Sequence, residues 1–278
     1  MRRMSLISNP SSRLPEEQDQ MPVASHRELT FEGLPNVRDL GGITLGSDLG
    51  VVDCGKVLRS ASPQFLSPQG AKQLIEYGVK TVIDLRTPEE TAVEGSGPMS
   101  EHYESGLIKH LPVPILSERQ RATDPVGTAN ALVDPAHHYI NYLANPAPFV
   151  MIARAVLETS SRGGAVLLHC ALGKDRTGVS AAVLLDAAGA VHHEVVEDYA
   201  ITRRHMRTMV EGLASSVSYR RDFTTPDWSA LAPQPEGIAG MLSWVKQNYG
   251  NAGHFLLSGG LTETELGALR SALRYSPE

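Results

Sequence analysis

Gly163-Gly164-Ala165-Val166-Leu167-Leu168-His169-Cys170-Ala171-Leu172-Gly173-Lys174-Asp175-Arg176-Thr177-Gly178 is the stretch on which the fold turns. Ala165 to Leu168 is short, apolar and preceded by two glycines, which predicts a buried central strand. Thr177 to Ala188 has the small and aliphatic composition of a buried helix. Strand, tight loop and helix in that order make an anion site at the carboxyl edge of a sheet, where a helix N-terminus adds positive partial charge.

The residues inside that loop carry chemistry. Cys170 and Arg176 bracket five residues, so a curled backbone places thiol and guanidinium around one phosphate, with the N–H groups of Ala171, Leu172, Gly173, Lys174, Asp175 and Arg176 turned inward. The helix start and Arg176 both favour the thiolate of Cys170, the form that attacks phosphorus. Arg176 can grip two oxygens with parallel hydrogen bonds. Thr177 is placed to give its hydroxyl to the sulfur as it departs, and Gly173 and Gly178 permit turning and close helix contact. His169 is expected to order the loop or to lower the cysteine's pKa by its charge or by hydrogen bonding.

Other readings of the same residues are weaker. A cysteine after an apolar strand is commonly a small core residue. Gly173-Lys174 suggests a nucleotide loop, but that motif wants glycine at 168 and Ser or Thr at 175, where this chain has Leu168 and Asp175. A papain-like enzyme needs a separate histidine base. Sulfur transfer also uses a cysteine in an anion loop, yet Arg176-Thr177-Gly178 suits phosphate better. A phospho-recognition module without turnover is the non-enzyme alternative, and the intact Cys170, Arg176 and Thr177 argue against it.

Working outward, Ser67-Pro68 reads as N-cap and first helical residue of a helix to about Tyr77, stopped by Gly78. Val79 to Leu85 and Leu107 to Val113 read as strands, with small antiparallel strands before them around Gly41 to Gly55. Leu116 to Pro135 reads as loop. Helices follow at Ala136 to Leu143, Pro148 to Thr159 and His192 to Met209, with residues 211–235 less regular. Thr262-Glu263-Thr264-Glu265 is a capping box opening a terminal helix. The pattern is an α/β core with an added helical region.

Composition sets the outer limits. The chain has 278 residues, 41% of them hydrophobic, and a formal net charge of −6; a sizeable core is affordable, and nucleic acid is not an expected partner. Cys54 and Cys170 are the two cysteines, too few for a disulfide framework, and no Cys/His cluster has zinc spacing. No metal and no cofactor are expected. The basic start Met1-Arg2-Arg3-Met4 is not followed by an apolar run of signal-peptide length, and nothing downstream approaches a membrane span, so a soluble, cytoplasmic protein without integral membrane association is expected. Residues 1–27 read as a flexible arm and 28–278 as a single domain, with 190–235 as a helical cover.

The Cys-x5-Arg-Thr run resembles the signature of protein tyrosine and dual-specificity phosphatases, and Gly173-Lys174-Asp175-Arg176-Thr177-Gly178 looks like their bacterial and fungal tyrosine/serine phosphatase branch. Asn36-Val37-Arg38-Asp39-Leu40-Gly41-Gly42, Leu58-Arg59-Ser60-Ala61 and Thr81-Val82-Ile83-Asp84-Leu85-Arg86 extend the likeness. The resemblance implies a three-layer cysteine-phosphatase fold with a central parallel-rich sheet. It implies hydrolysis of phosphomonoesters through a cysteinyl-phosphate, with a phosphorylated protein as substrate, chiefly at phosphotyrosine, and with dual specificity toward phosphoserine and phosphothreonine or a phosphoinositide as the alternatives. In related phosphatases a lysine matching Lys174 accompanies activity on phosphoinositides.

No Trp-Pro-Asp acid loop is present, which leaves the proton donor between Asp175 and Asp84, with Asp175 ahead. Arg38, Asp39 and Arg59 read as bracing residues and Cys54 as an ordinary buried thiol. Arg203, Arg204 and Arg207 read as a solvated helix face paired with Glu197, Asp198 or Glu211, or as neighbours of the site's mouth.

Overall fold

The structure is a computed structural model that describes residues 27–46, 48–116, 134–224 and 226–276. The expected N-terminal arm, except Arg27, and nearly all of the expected loop between Leu116 and Pro135 lie outside the described residues.

Five strands form one sheet: β1 (Arg38–Asp39), β2 (Val57–Ser60), β3 (Val79–Asp84), β4 (Lys109–Pro112) and β5 (Ala165–His169). Their spatial order is β1-β2-β5-β3-β4. Only the β1–β2 pair is antiparallel; β5 lies parallel between β2 and β3, with Leu58 opposite Leu167 and Asp84 opposite His169. All five β5 residues are buried, as a strand covered on both faces must be. Its side chains alternate between two cores. Val166 and Leu168 join Val57 and Ile83 in the larger core, beneath the helices Pro135–Tyr142, Ala147–Ser160, Asp175–Ala188 and Pro235–Tyr249. Ala165 and Leu167 join Leu58, Val82 and Leu74 on the opposite face. Helices on both faces of a parallel-rich sheet give the three-layer α/β fold, which places the end of β5 and the start of the next helix at the centre.

Local sequence explains the boundaries. Ser67 accepts from Gly70 N–H at the start of the Pro68–Glu76 helix, and Gly78 takes φ of 107° just beyond it. Thr87 and Glu90 form a capping box at the Pro88–Glu94 helix, and Thr262 and Glu265 form another at Glu263–Leu273.

Three expectations need correction. The helix expected over His192 to Met209 is broken into His192–Ile201, a 3-10 turn at Thr202–His205, and Met206–Leu213. The break falls where Thr202 accepts from Arg38 Nη2 at 3.2 Å and Arg204 and His205 reach Glu28. The strands expected around Gly41 to Gly55 are isolated bridges, Thr44 with Val51 and Leu45 with Ala190. Cys54 is exposed, not buried: its Cα and Sγ crowd the space beside Gly41, on the surface of a turn.

Candidate active site

The loop Cys170–Lys174 joins β5 to the Asp175–Ala188 helix and is buried throughout. Its outer side is fastened. Ala171 O accepts from Ser62 N–H at 2.9 Å. Leu172 O and Gly173 O each accept from Asn36 Nδ2 at 3.2 Å, and Gly173 O also accepts from Arg59 Nη2 at 2.8 Å. A trans peptide sets each N–H opposite the preceding carbonyl, so three outward carbonyls turn the N–H groups of Leu172, Gly173 and Lys174 inward as an anion nest. Gly173 holds φ of 66°, and a Cβ there would lie 2.1 Å from Ser60 O. A Cβ on Gly178 would lie 2.8 Å from the Tyr199 ring. Both glycines are required by close approach.

The braces converge on Asp198. Arg38 Nε and Arg27 Nη1 donate to its Oδ1 at 3.0 and 2.8 Å, and Arg59 Nη1 donates to Oδ2 at 2.8 Å. Arg38 Nη1 also holds Asn36 Oδ1 at 2.7 Å, so the residue that grips the loop is itself gripped. Burial pushes the Asp198 carboxyl up, but the arginines outweigh it and hold it well below the usual range. Arg38 and Arg59 therefore brace the loop, as does Asp39 in its own turn, where it accepts from Gly41 and Gly55 N–H and from the Tyr77 hydroxyl.

On the inner side, Arg176 meets Glu90 in a bidentate pair, Nη1 to Oε2 at 2.5 Å and Nη2 to Oε1 at 2.9 Å. Thr87 N–H and the Tyr219 hydroxyl donate to the same carboxylate at 2.8 and 2.7 Å. Burial raises the Glu90 carboxyl, but Arg176 overrides it and brings it down to about 2. Cys170 is 3% exposed. The Thr177 hydroxyl is buried without a hydrogen-bond partner, a costly state for a polar atom unless it has work to do.

His169 Nδ1 lies 3.1 Å from Cys170 O, to which it can only donate. Burial lowers its pKa to about 4 although Asp84 opposes the shift, so near neutral pH it acts by hydrogen bonding and not by charge. Asp84 stands beside it, with Oδ1 at 3.8 Å from His169 Nε2, but Arg86 occupies both carboxylate oxygens, donating from Nη2 at 2.7 Å and from Nε at 3.0 and 3.2 Å. The Asp84 carboxyl is held far below the usual range, the pull of His169, His110 and Arg86 exceeding the cost of burial. With both oxygens held by Arg86, Asp84 is the more tightly engaged of the two candidate donors. Asp175 is half-buried, accepts from the Tyr139 hydroxyl at 2.8 Å and pairs with Lys174 at 3.4 Å. Burial raises its carboxyl, but Lys174 and His138 lower it further.

Lys174 is buried, not extended toward a substrate: its Nζ donates to Leu231 O at 2.8 Å. Leu231 belongs to the segment Met206–Leu231, whose Met206, Met209, Leu213 and Phe223 pack on Ala171 and Leu172. A cavity of about 460 Å³ remains beside the loop, walled by Ala171, Asn36 and Ala61 on one side and Met209 and Leu213 on the other. Arg207 lies 3.8 Å from Glu211, as expected of a solvated face, whereas Arg204 turns to Glu28.

Sequence reasoning did not find Glu90, Tyr219 or Tyr139, and it set Asp198 against Arg203, Arg204 or Arg207, whereas Asp198 binds Arg27, Arg38 and Arg59. The capping pattern Thr87-x-x-Glu90 marks a helix start, but its second partner lies 86 positions away. Among the described residues no group of three or more His, Cys, Asp or Glu could hold a metal ion, and no helix is long and apolar enough to cross a membrane.

A family model described as tyrosine phosphatase family matches residues 29–275. The chain is 28% identical over 233 residues to a tyrosine-protein phosphatase of Nostoc commune, covering 78% of this chain and 73% of that protein. It is 25% identical over 254 residues to the triple specificity protein phosphatase PtpB of Mycobacterium tuberculosis, covering 79% and 91%. Among solved structures, that of P. aeruginosa TpbA in complex with pTyr is matched at 21% identity over 66% of this chain and 85% of that one, with a TM-score of 0.29.

Proposed function

Because the chain belongs to the tyrosine phosphatase family of cysteine-dependent phosphomonoester hydrolases, we propose that it dephosphorylates phosphotyrosine in proteins, with Cys170 as nucleophile. The observation that carries this reading is the pinned loop: Cys170 at its base, three carbonyls drawn outward, and Arg176 at its far end with one edge on Glu90. The inward N–H groups and the free edge of Arg176 hold the phosphoryl oxygens. The Cys170 thiolate forms the S–P bond as the P–O bond to the tyrosyl oxygen breaks, and Asp175 gives that oxygen a proton. Water then attacks phosphorus, its proton passing to Asp175, and the sulfur leaves as thiolate while Thr177 donates to it. The charge of the transition state is met by these preset donors.

Asp175 is held ionised by Lys174 in the resting protein; the arriving phosphate dianion opposes that and favours the protonated form the first step needs. Packing of Met206–Leu231 on Ala171 and Leu172 supports reading that segment as a cover, part of the expected region 190–235, which moves for substrate to enter. We read residues 28–278 as one phosphatase domain that acts in the cytoplasm, where two free thiols persist. A phosphoinositide is the second reading, favoured by Lys174: once Leu231 withdraws, its ammonium, still beside Asp175, gains donors for a second phosphate.

The test is kcat/KM on phosphotyrosine, phosphoserine and phosphothreonine peptides beside phosphoinositides. Phosphotyrosine is expected to lead. Cys170→Ser should abolish phosphate release while retaining phosphate binding, since an alkoxide is far harder to form than a thiolate. Binding of phosphopeptides by the wild type without any release would make the protein a recognition module and end the catalytic reading.

A further inference from the structure

Glu90 is reached from two directions. Arg176, through both terminal nitrogens, and the Thr87 N–H belong to the body of the fold; the Tyr219 hydroxyl comes from the cover. Arg176 Nη2 and the Tyr219 hydroxyl share one oxygen, Glu90 Oε1. A contact from the cover is therefore one carboxylate away from the group that grips phosphate.

The same turn of the cover is fastened nearby. Ser218 N–H donates to Glu94 Oε1 at 2.5 Å, and Gln64 Nε2 donates to Ser216 Oγ at 3.2 Å and to Glu94 Oε2 at 3.3 Å. Glu90 and Glu94 stand one turn apart on the Pro88–Glu94 helix and so present their carboxylates to the same side. Residues 216–219 thus rest on that helix at adjoining points, and the innermost is shared with Arg176. The Tyr219 ring is fully buried and packs in the cover's apolar cluster with Leu172 and Phe223. Its hydroxyl can be removed without emptying that cluster.

We propose that Tyr219 is a positioning residue that ties closure of the cover to the orientation of Arg176, making phosphate binding and cover closure one coupled equilibrium. The proposal rests on the phosphatase reading for its kinetic arm only. With the cover shut, the Tyr219 hydroxyl fixes Glu90 Oε1, and the bidentate pair then sets the plane of the guanidinium so that its remaining N–H groups address the nest. With the cover open, Glu90 loses that donor in a buried setting and can turn, taking the guanidinium with it. Linkage makes the relation reciprocal: phosphate that fixes Arg176 fixes Glu90, which favours the closed position of Tyr219. A ligand shifts the cover only by its differential affinity for the two states, and the shared carboxylate supplies that difference.

Two measurements test this. With an aryl phosphate, Tyr219→Phe is expected to lower kcat about tenfold with KM within twofold, because a misaligned fork still attracts the dianion but fits the transition state less well. In a Glu90→Gln background the same substitution should change kcat by less than twofold, since its effect passes through Glu90. Independently of turnover, inorganic phosphate should shield Trp228, which lies on the cover, from acrylamide quenching in a Trp244→Phe background, and Tyr219→Phe should remove that shielding while phosphate still binds. Unchanged kcat in Tyr219→Phe, losses that multiply with those of Glu90→Gln, or undiminished shielding of Trp228 in Tyr219→Phe would each overturn the proposal. A wild type inert toward every phosphomonoester would instead overturn the phosphatase reading, and the quenching arm would still decide the coupling.

Discussion

Two buried carboxylates, Asp198 and Glu90, hold arginines on opposite sides of the same loop, and they do so differently. Asp198 binds Arg27, Arg38 and Arg59, and Arg59 goes on to a loop carbonyl. Those three arginines sit at or beside the sheet's β1–β2 edge, so the cluster is framework. Glu90 holds Arg176 through both carboxylate oxygens, and one of those oxygens also accepts from the Tyr219 hydroxyl. One cluster turns its guanidinium groups on carboxylate, hydroxyl and backbone oxygens of the framework, leaving Arg59 Nε buried without a hydrogen-bond partner. The other leaves part of a guanidinium unspent and exposes its own position to the state of the cover. Arginine–carboxylate pairing by itself therefore does not distinguish scaffold from function; the destination of the remaining N–H groups does.

That contrast is broken most sharply by Asp198→Asn. Losing one partner of a buried ionic cluster leaves uncompensated charge, at a cost of about 3–5 kcal/mol. For a chain of this size the expected fall in Tm is on the order of 10 °C, read by calorimetry. A fall of less than 2 °C would remove Asp198 from the framework. Next comes Arg176→Lys, which keeps the charge but loses the fork. A roughly 100-fold drop in kcat/KM is expected, about 3 kcal/mol, with a Tm change much smaller than that of Asp198→Asn. A rate change below threefold would show that the arginine facing Glu90 is also framework.

Acid separates the two sides of the loop in stages. His169 has its pKa lowered by burial to about 4, against a usual 6.5. A depressed folded value means that its contribution is complete above pH 6.5 and is lost as pH falls toward 4. Glu90, where Arg176 overcomes burial, stands at about 2 against 4.5; its contribution is complete above pH 4.5 and is lost below. Stability should therefore begin to fall below pH 6.5 with a slope of up to about 1.4 kcal/mol per pH unit for each group as it titrates. His169→Asn should flatten the upper stage and Glu90→Gln the lower, in urea midpoints measured across pH. A flat profile between pH 6.5 and 4.5 in the wild type would contradict the assignment for His169.

Much of the framework is readable in the chain. A glycine pair, four apolar residues and then Cys170 announce β5 and its loop, because a strand buried on both faces admits little else. Ser67 and Thr262 announce their helices through local capping. What is not readable is the pairing of residues far apart: Asp198 gathers arginines from positions 27, 38 and 59, and Tyr219 meets Glu90 across 129 positions. Each reads locally as an ordinary helical acid or core aromatic. Periodicity also ran straight through Thr202, where the observed break follows a contact to Arg38 that no local pattern encodes. Cys54 was misread because turns and small apolar runs look alike in sequence whether or not the body of the protein covers them.

The smallest expected effect concerns the proton. Asp175 and Asp84 are both depressed carboxylates, yet their surroundings differ: Asp84 is locked by Arg86 on both oxygens, whereas Asp175 is half-buried and its cation, Lys174, is itself held by the cover through Leu231. The proposed motion of the cover therefore changes the field at Asp175 through Lys174, and reaches Asp84 only at one remove, through Arg86 and the Gln64 side chain that links it to Ser216. An alkyl phosphate needs its leaving oxygen protonated, while a nitrophenolate leaves without help. Asp175→Asn should reduce kcat/KM about tenfold more on an alkyl than on a nitrophenyl phosphate and should remove the basic limb of the pH profile for the alkyl substrate. Asp84→Asn, if it folds, should weaken both substrates equally and keep that limb, because its effect reaches Cys170 only through His169. The opposite pattern, a selective alkyl defect in Asp84→Asn with Asp175→Asn unselective, would exchange the two roles and place the proton donor on the rigid side of the loop.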